Sequence, residues 1–153
     1  MEIRLAAAGD IDSLCPLLTE FFAYNANLQP MYCNAAVESG DYPMSIIESC
    51  ESDFIVAVEN GSIVGFLHIN EMKTPPYAAI ATHCYAEVMA FLVTASYREQ
   101  GVGSKLLSHA KKWSKERNLD YIELTSLVNA KEANAFYDKN DFETISHIRR
   151  YQL

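Results

Sequence analysis

The stretch Val88-Met89-Ala90-Phe91-Leu92-Val93, followed by Arg98-Glu99-Gln100-Gly101-Val102-Gly103-Ser104, decides the reading of this chain. Six consecutive apolar residues suit a strand covered on both faces. Beyond Ser104, Leu106, Leu107, Ala110 and Trp113 recur at helical spacing, with Lys105, Lys112 and Lys115 on the other side. A strand, a tight glycine turn and a helix in succession leave the first helical N–H groups without internal partners, pointing outward. Such a terminus suits an anion. Two phosphate loops do not fit these letters. A Walker loop needs Gly-Lys-Ser/Thr, but Ser104-Lys105 follows Gly103, and the dinucleotide fingerprint needs a third glycine where Leu106 stands. On the glycines alone, a softened turn that binds nothing is the alternative.

Working outward, Ile3 and Leu5 open an apolar alternation that ends at Gly9-Asp10, where Asp10 can cap a helix carrying Ile11, Leu14, Leu17 and Leu18. Polar and small residues from Tyr24 to Pro43 predict an irregular exposed region, with a second helix from about Pro43 to Cys50. Phe54 to Val58 and Ile63 to Ile69 flank Asn60-Gly61, a hairpin signal. Lys73-Thr74-Pro75-Pro76 breaks the chain before the central strand. After the helix, which Asn118 can cap in a left-handed conformation, Tyr121 to Val128 predicts a strand, Ala130 to Lys139 a helix and Phe142 to Tyr151 a closing strand. No repeat or linker divides this order. The expectation is one α/β domain over residues 1–153, with a mixed sheet of six or seven strands flanked by about four helices.

Composition narrows the function classes. With 50% hydrophobic and 21% charged residues, the chain is an ordinary globular domain. A formal charge of −8 argues against nucleic acid as a partner and fits a cationic or amine substrate. No apolar run has the length of a membrane span, and the opening Met-Glu-Ile-Arg lacks the regions of a signal peptide, so no membrane contact and a cytoplasmic location are expected. Cys15, Cys33, Cys50 and Cys84 form no Cys-x-x-Cys pair and have no histidine pair nearby, so they read as core thiols and no metal is expected.

Arg98-x-x-Gly101-x-Gly103 between a strand and a helix resembles the signature of the GNAT acetyltransferases. The later segment Ala133-Asn134-Ala135-Phe136-Tyr137-Asp138-Lys139-Asn140-Asp141-Phe142 is similar to a second family run, with Asp141 where glycine is usual. Asn140 could supply a left-handed residue at that turn. The similarity is strong from Glu87 to Phe142 and weak from Tyr24 to Glu51.

The resemblance implies an N-acetyltransferase that uses acetyl-CoA as cosubstrate, with no metal, and transfers its acetyl group directly to a primary amine. The amine belongs to a small molecule or a protein. By that resemblance, the backbone amides of Gln100, Gly101, Val102, Gly103 and Ser104 hold the pyrophosphate, Arg98 and Glu99 belong to the same cofactor-binding segment, and Phe91, Leu92 and Val93 present a strand edge to the pantetheine arm. Backbone N–H near Leu92 or Val93 is expected to face the oxyanion, and Asn129 touches the cofactor or only shapes a turn. Tyr137 is the implied general acid. Glu87 is the implied general base, with a solvated strand-end glutamate as the other reading. His68 and His83 are candidates for the acceptor site, or ordinary satisfied histidines. No cysteine is placed by a motif as a nucleophile. The rival class is a non-catalytic acyl-CoA-binding sensor of the same fold. A C-terminal edge strand from Ile145 to Tyr151 would offer pairing across a homodimer.

Overall fold

The computed structural model describes residues 1–153. Its strands are β1 (Glu2–Leu5), β2 (Ser52–Glu59), β3 (Ser62–Lys73), β4 (Cys84–Val93) and β5 (Ile122–Leu124). Its helices are α1 (Ile11–Leu28), α2 (Asp41–Ile47), α3 (Val102–Glu116) and α4 (Lys131–Lys139). The sheet order is β1-β2-β3-β4-β5, antiparallel through β4 and parallel from β4 to β5. The mixed α/β expectation holds with five strands rather than six or seven.

The strand expected at Phe142 to Tyr151 does not form, because β-prone residues become a strand only against a ladder partner and nothing in this chain pairs with them. As a result β3 takes the middle of the sheet and β4 lies next to the edge strand. The strand expected over Tyr121 to Val128 is only Ile122–Leu124. Conversely, α1 runs on to Leu28 through the asparagine-rich stretch expected to be irregular, and closes with Gln29 N–H donating to the Asn25 carbonyl at 2.9 Å. Asp10 precedes α1 but gives no side-chain cap to it. Its carboxylate instead takes Arg4 at 2.7 and 2.9 Å and the Ala7 N–H at 2.8 Å, and the Arg4 guanidinium holds its pKa below the ordinary value.

The sheet buries both faces. On one face α3 lays Val102, Leu106, Leu107, Ala110 and Trp113 against Ile55, Leu67, Ile69, Ala86 and Val88. On the other, Leu14 and Leu18 of α1 meet Phe54, Val56, Phe66, Ala90 and Leu92. Ala86 and Val88 share the α3 face, whereas Ala90 and Leu92 share the α1 face. A β-bulge explains the switch: Val88 pairs with Ile69 and Ala90 with His68, so Met89 is one residue too many and reverses the alternation. Trp113 fastens α3 to β2, its Nε1–H donating to Asp53 at 2.7 Å while the Arg117 guanidinium lies 3.9 Å over the indole.

Both helix ends bearing the family-like motifs close with Schellman geometry. At α3, Leu119 N–H reaches the Ser114 carbonyl and Asn118 takes φ +55°, as expected for a left-handed cap. At α4, Phe142 N–H reaches the Tyr137 carbonyl at 3.1 Å and Asp141 N–H the Asp138 carbonyl at 3.2 Å. The left-handed residue there is Asp141 itself, at φ +67°, and not Asn140, at φ −101°. Aspartate tolerates that region better than most side chains, so it can stand where glycine is usual.

His68 is a buried polar side chain in the α1 face of the sheet. Its Nδ1 lies 2.6 Å from the Tyr42 hydroxyl, and its ring lies 4.9 Å from that of Phe54. Burial pushes its pKa down to about 4, so the folded ring is neutral at neutral pH. In the unfolded chain the ring titrates near 6.5. Between about pH 6.5 and pH 4 the unfolded state therefore binds a proton that the folded state refuses, and stability falls as pH falls. The expected loss across that window is about 3 kcal/mol. Urea unfolding midpoints from pH 7 to pH 4 should drop more steeply for the wild type than for His68→Gln; equal slopes would contradict a buried neutral ring.

Candidate functional site

The decisive geometry is where β4 and β5 stop pairing. Their parallel ladder covers only Ala86–Val88 against Ile122–Leu124, while β4 runs on to Val93. Beyond Val88 a cleft of about 950 Å³ opens between β4, the start of α3, α4 and the end of α1. Backbone alternation assigns the exposed groups. Thr94 N–H donates to the Val64 carbonyl at 3.0 Å on β3, so Leu92 and Ala90 also address β3, whereas Phe91 and Val93 turn their N–H and C=O toward the cleft. The Val93 carbonyl accepts from Arg98 Nε at 2.9 Å. Leu92 N–H is thus spent inside the sheet, which corrects the expectation that it could face an oxyanion; the Val93 N–H keeps that orientation.

At the end of β4 a short turn, Ala95–Tyr97, leads into the glycine loop. Gln100 Nε2 donates to the Ser96 carbonyl at 2.7 Å and braces the loop from within. Glu99 takes φ +60° and Gly101 φ +78°, so the chain turns left-handed just before α3. A Cβ on Gly101 would meet nothing within 4 Å, so conformation, not space, calls for glycine there. Gly103 differs. A Cβ there would stand 3.2 Å from the Phe136 ring, so this glycine lets α3 and α4 approach. The first bond across this turn is Lys105 N–H to the Gly101 carbonyl at 3.1 Å, leaving the N–H groups of Val102, Gly103 and Ser104 ahead of it without helical acceptors.

Across the cleft, α4 supplies an aromatic wall. Phe91 lies edge-on to Phe136 with ring centroids 5.6 Å apart, and Tyr137 lies 5.6 Å from Phe136 and 6.5 Å from Phe91. Burial pushes the Tyr137 phenol up to about 12, with nearby Tyr24 adding to the shift. The phenol therefore keeps its proton across the physiological range.

Ten of the residues read from the sequence line this cleft: Phe91, Leu92, Val93, Arg98, Glu99, Gly101, Val102, Gly103, Ser104 and Tyr137. Three do not. Gln100 is exposed on the loop, with its side-chain amide bonded to Ser96. Asn129 donates its amide to the Leu28 carbonyl at 3.0 Å, tying the loop before α4 to the end of α1. Glu87 lies just before the cleft, in register with Asn70 on β3 and Glu123 on β5. Partial burial first, then the neighbouring Glu123, raises its pKa above the usual carboxylate value. Neither histidine lines the cleft: His68 is buried against Tyr42, and His83 Nδ1 lies 2.8 Å from Asp120 at the surface.

Sequence reasoning pointed to the first helices and the loop from Tyr24 to Asp41 only as a region and named none of its residues; Phe21, Tyr24, Asn25, Gln29, Tyr32 and Cys33 line the near wall, and Thr125 and Ser126 after β5 join them. The aromatic pair Phe21 and Tyr24 was a readable sign, since a helix with large side chains beyond its core stripe must place them against something. No three His, Cys, Asp or Glu side chains are grouped to hold a metal ion, and no helix is long and apolar enough to cross a membrane.

The fold has parallels among solved structures. The chain is 25% identical to an uncharacterized N-acetyltransferase, YhfO, of Bacillus subtilis, over 100% of its own length and 97% of the relative's. A structure of a BH1408 protein variant from Bacillus halodurans superposes with a TM-score of 0.93 at 18% identity, covering 100% of this chain and 99% of that one. An aminoglycoside N-acetyltransferase, AAC(6')-Iy, solved in complex with CoA, gives a TM-score of 0.74 at 12% identity over 99% and 98% of the two chains. The model of the acetyltransferase (GNAT) family matches residues 12–142, from the first turn of α1 to the cap of α4. This chain belongs to the acetyltransferase (GNAT) family.

Proposed function

We propose that the protein is an N-acetyltransferase that transfers an acetyl group from acetyl-CoA to a primary amine by direct attack in a ternary complex. The observation that carries this reading is the convergence, in one cleft, of an unpaired β4 edge, the free N–H groups at the start of α3 and the protonated phenol of Tyr137. Those groups fit the cosubstrate's chemistry: amides at a helix N-terminus suit a pyrophosphate, and a strand edge suits an extended amide-bearing arm. Acetyl-CoA would supply an acyl group already activated as a thioester.

The remaining work falls to the chain's own residues. Gly101, Val102, Gly103 and Ser104 would bind the pyrophosphate, with Arg98 and Glu99 holding the loop in shape. Phe91 and Val93 would orient the arm, and the Val93 N–H would stabilise negative charge on the acyl oxygen. Tyr137 would donate to the departing sulfur. Full transfer from a phenol near 12 to a thiolate near 8.5 is uphill by about 5 kcal/mol, so the phenol acts first as a hydrogen-bond donor while charge develops. Glu87 would accept the amine proton, directly or through water, and its raised pKa moves it toward the basicity a general base needs near neutrality.

Three sets of measurements test these assignments. Tyr137→Phe should lower kcat by about 10²-fold with acetyl-CoA affinity nearly unchanged, and wild-type kcat should show no loss from Tyr137 ionisation below about pH 11. An unchanged kcat under chemistry-limited conditions would reduce Tyr137 to packing. Acetyl-CoA binding without any amine-dependent thiol release, across a panel of small and peptide amines, would favour an acyl-CoA sensor. Glu87→Gln should depress kcat/KM near pH 7 for a lysine-like amine and recover toward pH 9 to 10, where free amine accumulates around its pKa of about 10.4. Wild-type and variant curves running parallel from pH 6 to 10 would leave Glu87 no role as base.

A further inference from the structure

His68 is a buried polar side chain in the largely apolar α1 face of the sheet, and it does not line the cleft. Burying such a group is costly unless its ring nitrogens are satisfied. Nδ1 is satisfied by the Tyr42 hydroxyl at 2.6 Å. Burial pushes the Tyr42 phenol up to about 12, so it keeps its proton, and it has no other acceptor within the chain. A neutral imidazole that accepts at Nδ1 carries its own proton on Nε2.

That N–H has its complement in Asn70, two residues on along β3 and therefore on the same face. His68 Nε2 and Asn70 Oδ1 are both fully buried, and neither has another partner. Asn70 acts on the ring as a hydrogen-bonding neighbour, opposing the fall in pKa that burial causes, although the contact falls short of full hydrogen-bond geometry. Donor faces acceptor, so the His68 tautomer decides which way the Asn70 amide lies. With Oδ1 inward and the residue only half-buried, Nδ2 is turned to the open side.

Glu87 stands beside that donor. It pairs in register with Asn70 across the β3–β4 ladder, and the two side chains share the α1 face. Directly opposed residues bring their Cβ atoms to about 4.5–5.5 Å, within reach of an amide and a carboxylate. The titratable groups around Glu87 are Glu123 and Tyr121 from β5, Tyr85 from β4 and neutral His68 from β3, with Tyr42 of α2 behind it. None is a cation, and Glu87 has no ion-pair partner. A neutral amide can fix such a carboxylate without the deep fall in pKa that a lysine or arginine would impose on a base.

We propose that Asn70 is a positioning residue for Glu87, donating from Nδ2 to its carboxylate and held in that orientation by the buried pair of His68 and Tyr42. The line runs from α2 through β3 to β4, so α2 supports the chemistry although none of its residues lines the cleft. This rests on the reading of Glu87 as the base.

Carbon-13 NMR titration of the Glu87 carboxyl in the full-length chain tests it without an acceptor. Losing a donor to the ionised form raises a carboxyl pKa, whereas the water admitted by a smaller side chain lowers it. Asn70→Ala, at a half-buried site, should therefore move the Glu87 titration to higher pH only where Nδ2 holds the carboxylate. Tyr42→Phe combined with His68→Leu makes the inner pair apolar, frees the amide and should move Glu87 the same way by less. In turnover of a lysine-like amine, Asn70→Ala should lower kcat/KM about tenfold near pH 7, with no further loss in a Glu87→Gln background. A wild-type titration of Glu87 in either folded variant would overturn the proposal, and so would an activity loss that persists in full without the Glu87 carboxylate. The two readings fail separately. Parallel pH curves for Glu87→Gln and wild type remove the base and, with it, anything for Asn70 to position; a bent Glu87→Gln curve with an unmoved titration in Asn70→Ala removes the positioning role alone.

Discussion

The parting of β4 from β5 after Val88 is the constraint on which the rest of the site depends. Two neighbouring parallel strands ordinarily satisfy each other's backbone along their length, and here they do so over three residues. Beyond that point β4 keeps β3 on one side and offers Phe91 and Val93 to a cleft on the other. Two local features maintain the opening. The bulge at Met89 reverses which residues address the cleft, and the aromatic cluster of Phe91, Phe136 and Tyr137 walls it on the α4 side.

The glycine loop is subordinate to that opening. Its amides are useful because α3 starts where the unpaired part of β4 ends, so one ligand can run from the strand edge to the helix terminus. The two glycines do different work. Gly101 turns the chain left-handed ahead of the helix, and Gly103 admits the Phe136 ring at 3.2 Å from its missing Cβ, coupling loop geometry to the α4 wall that carries Tyr137.

Much of this was legible in the sequence where local pattern and tertiary packing agree. The run Val88 to Val93, the Asn60-Gly61 hairpin and the period of α3 were readable because burial on both faces, turn chemistry and an amphipathic stripe each leave a local mark. Most residues of β4 and the glycine loop that line the cleft followed from the strand, loop and helix in sequence. What did not show is set by partners distant in the chain. The engagement of Asn129 depends on Leu28, and the position of Glu87 outside the cleft on where β5 stops. The closing strand was misread for the same reason, since Ile145, Ile148 and Tyr151 have strand propensity but no ladder within the chain. Asp141 shows the converse, a departure from the usual glycine that the α4 cap absorbs at φ +67°.

The central claim is that the separated β4 edge and the start of α3 together form a single cofactor-binding surface. Amide hydrogen exchange with and without acetyl-CoA measures this directly. The account predicts slowed exchange at the Phe91 and Val93 amides and from Val102 to Ser104, with Leu92, already bonded to β3, slow in both states. Protection confined to other surfaces, or acetyl-CoA binding that leaves these amides unchanged, would contradict it.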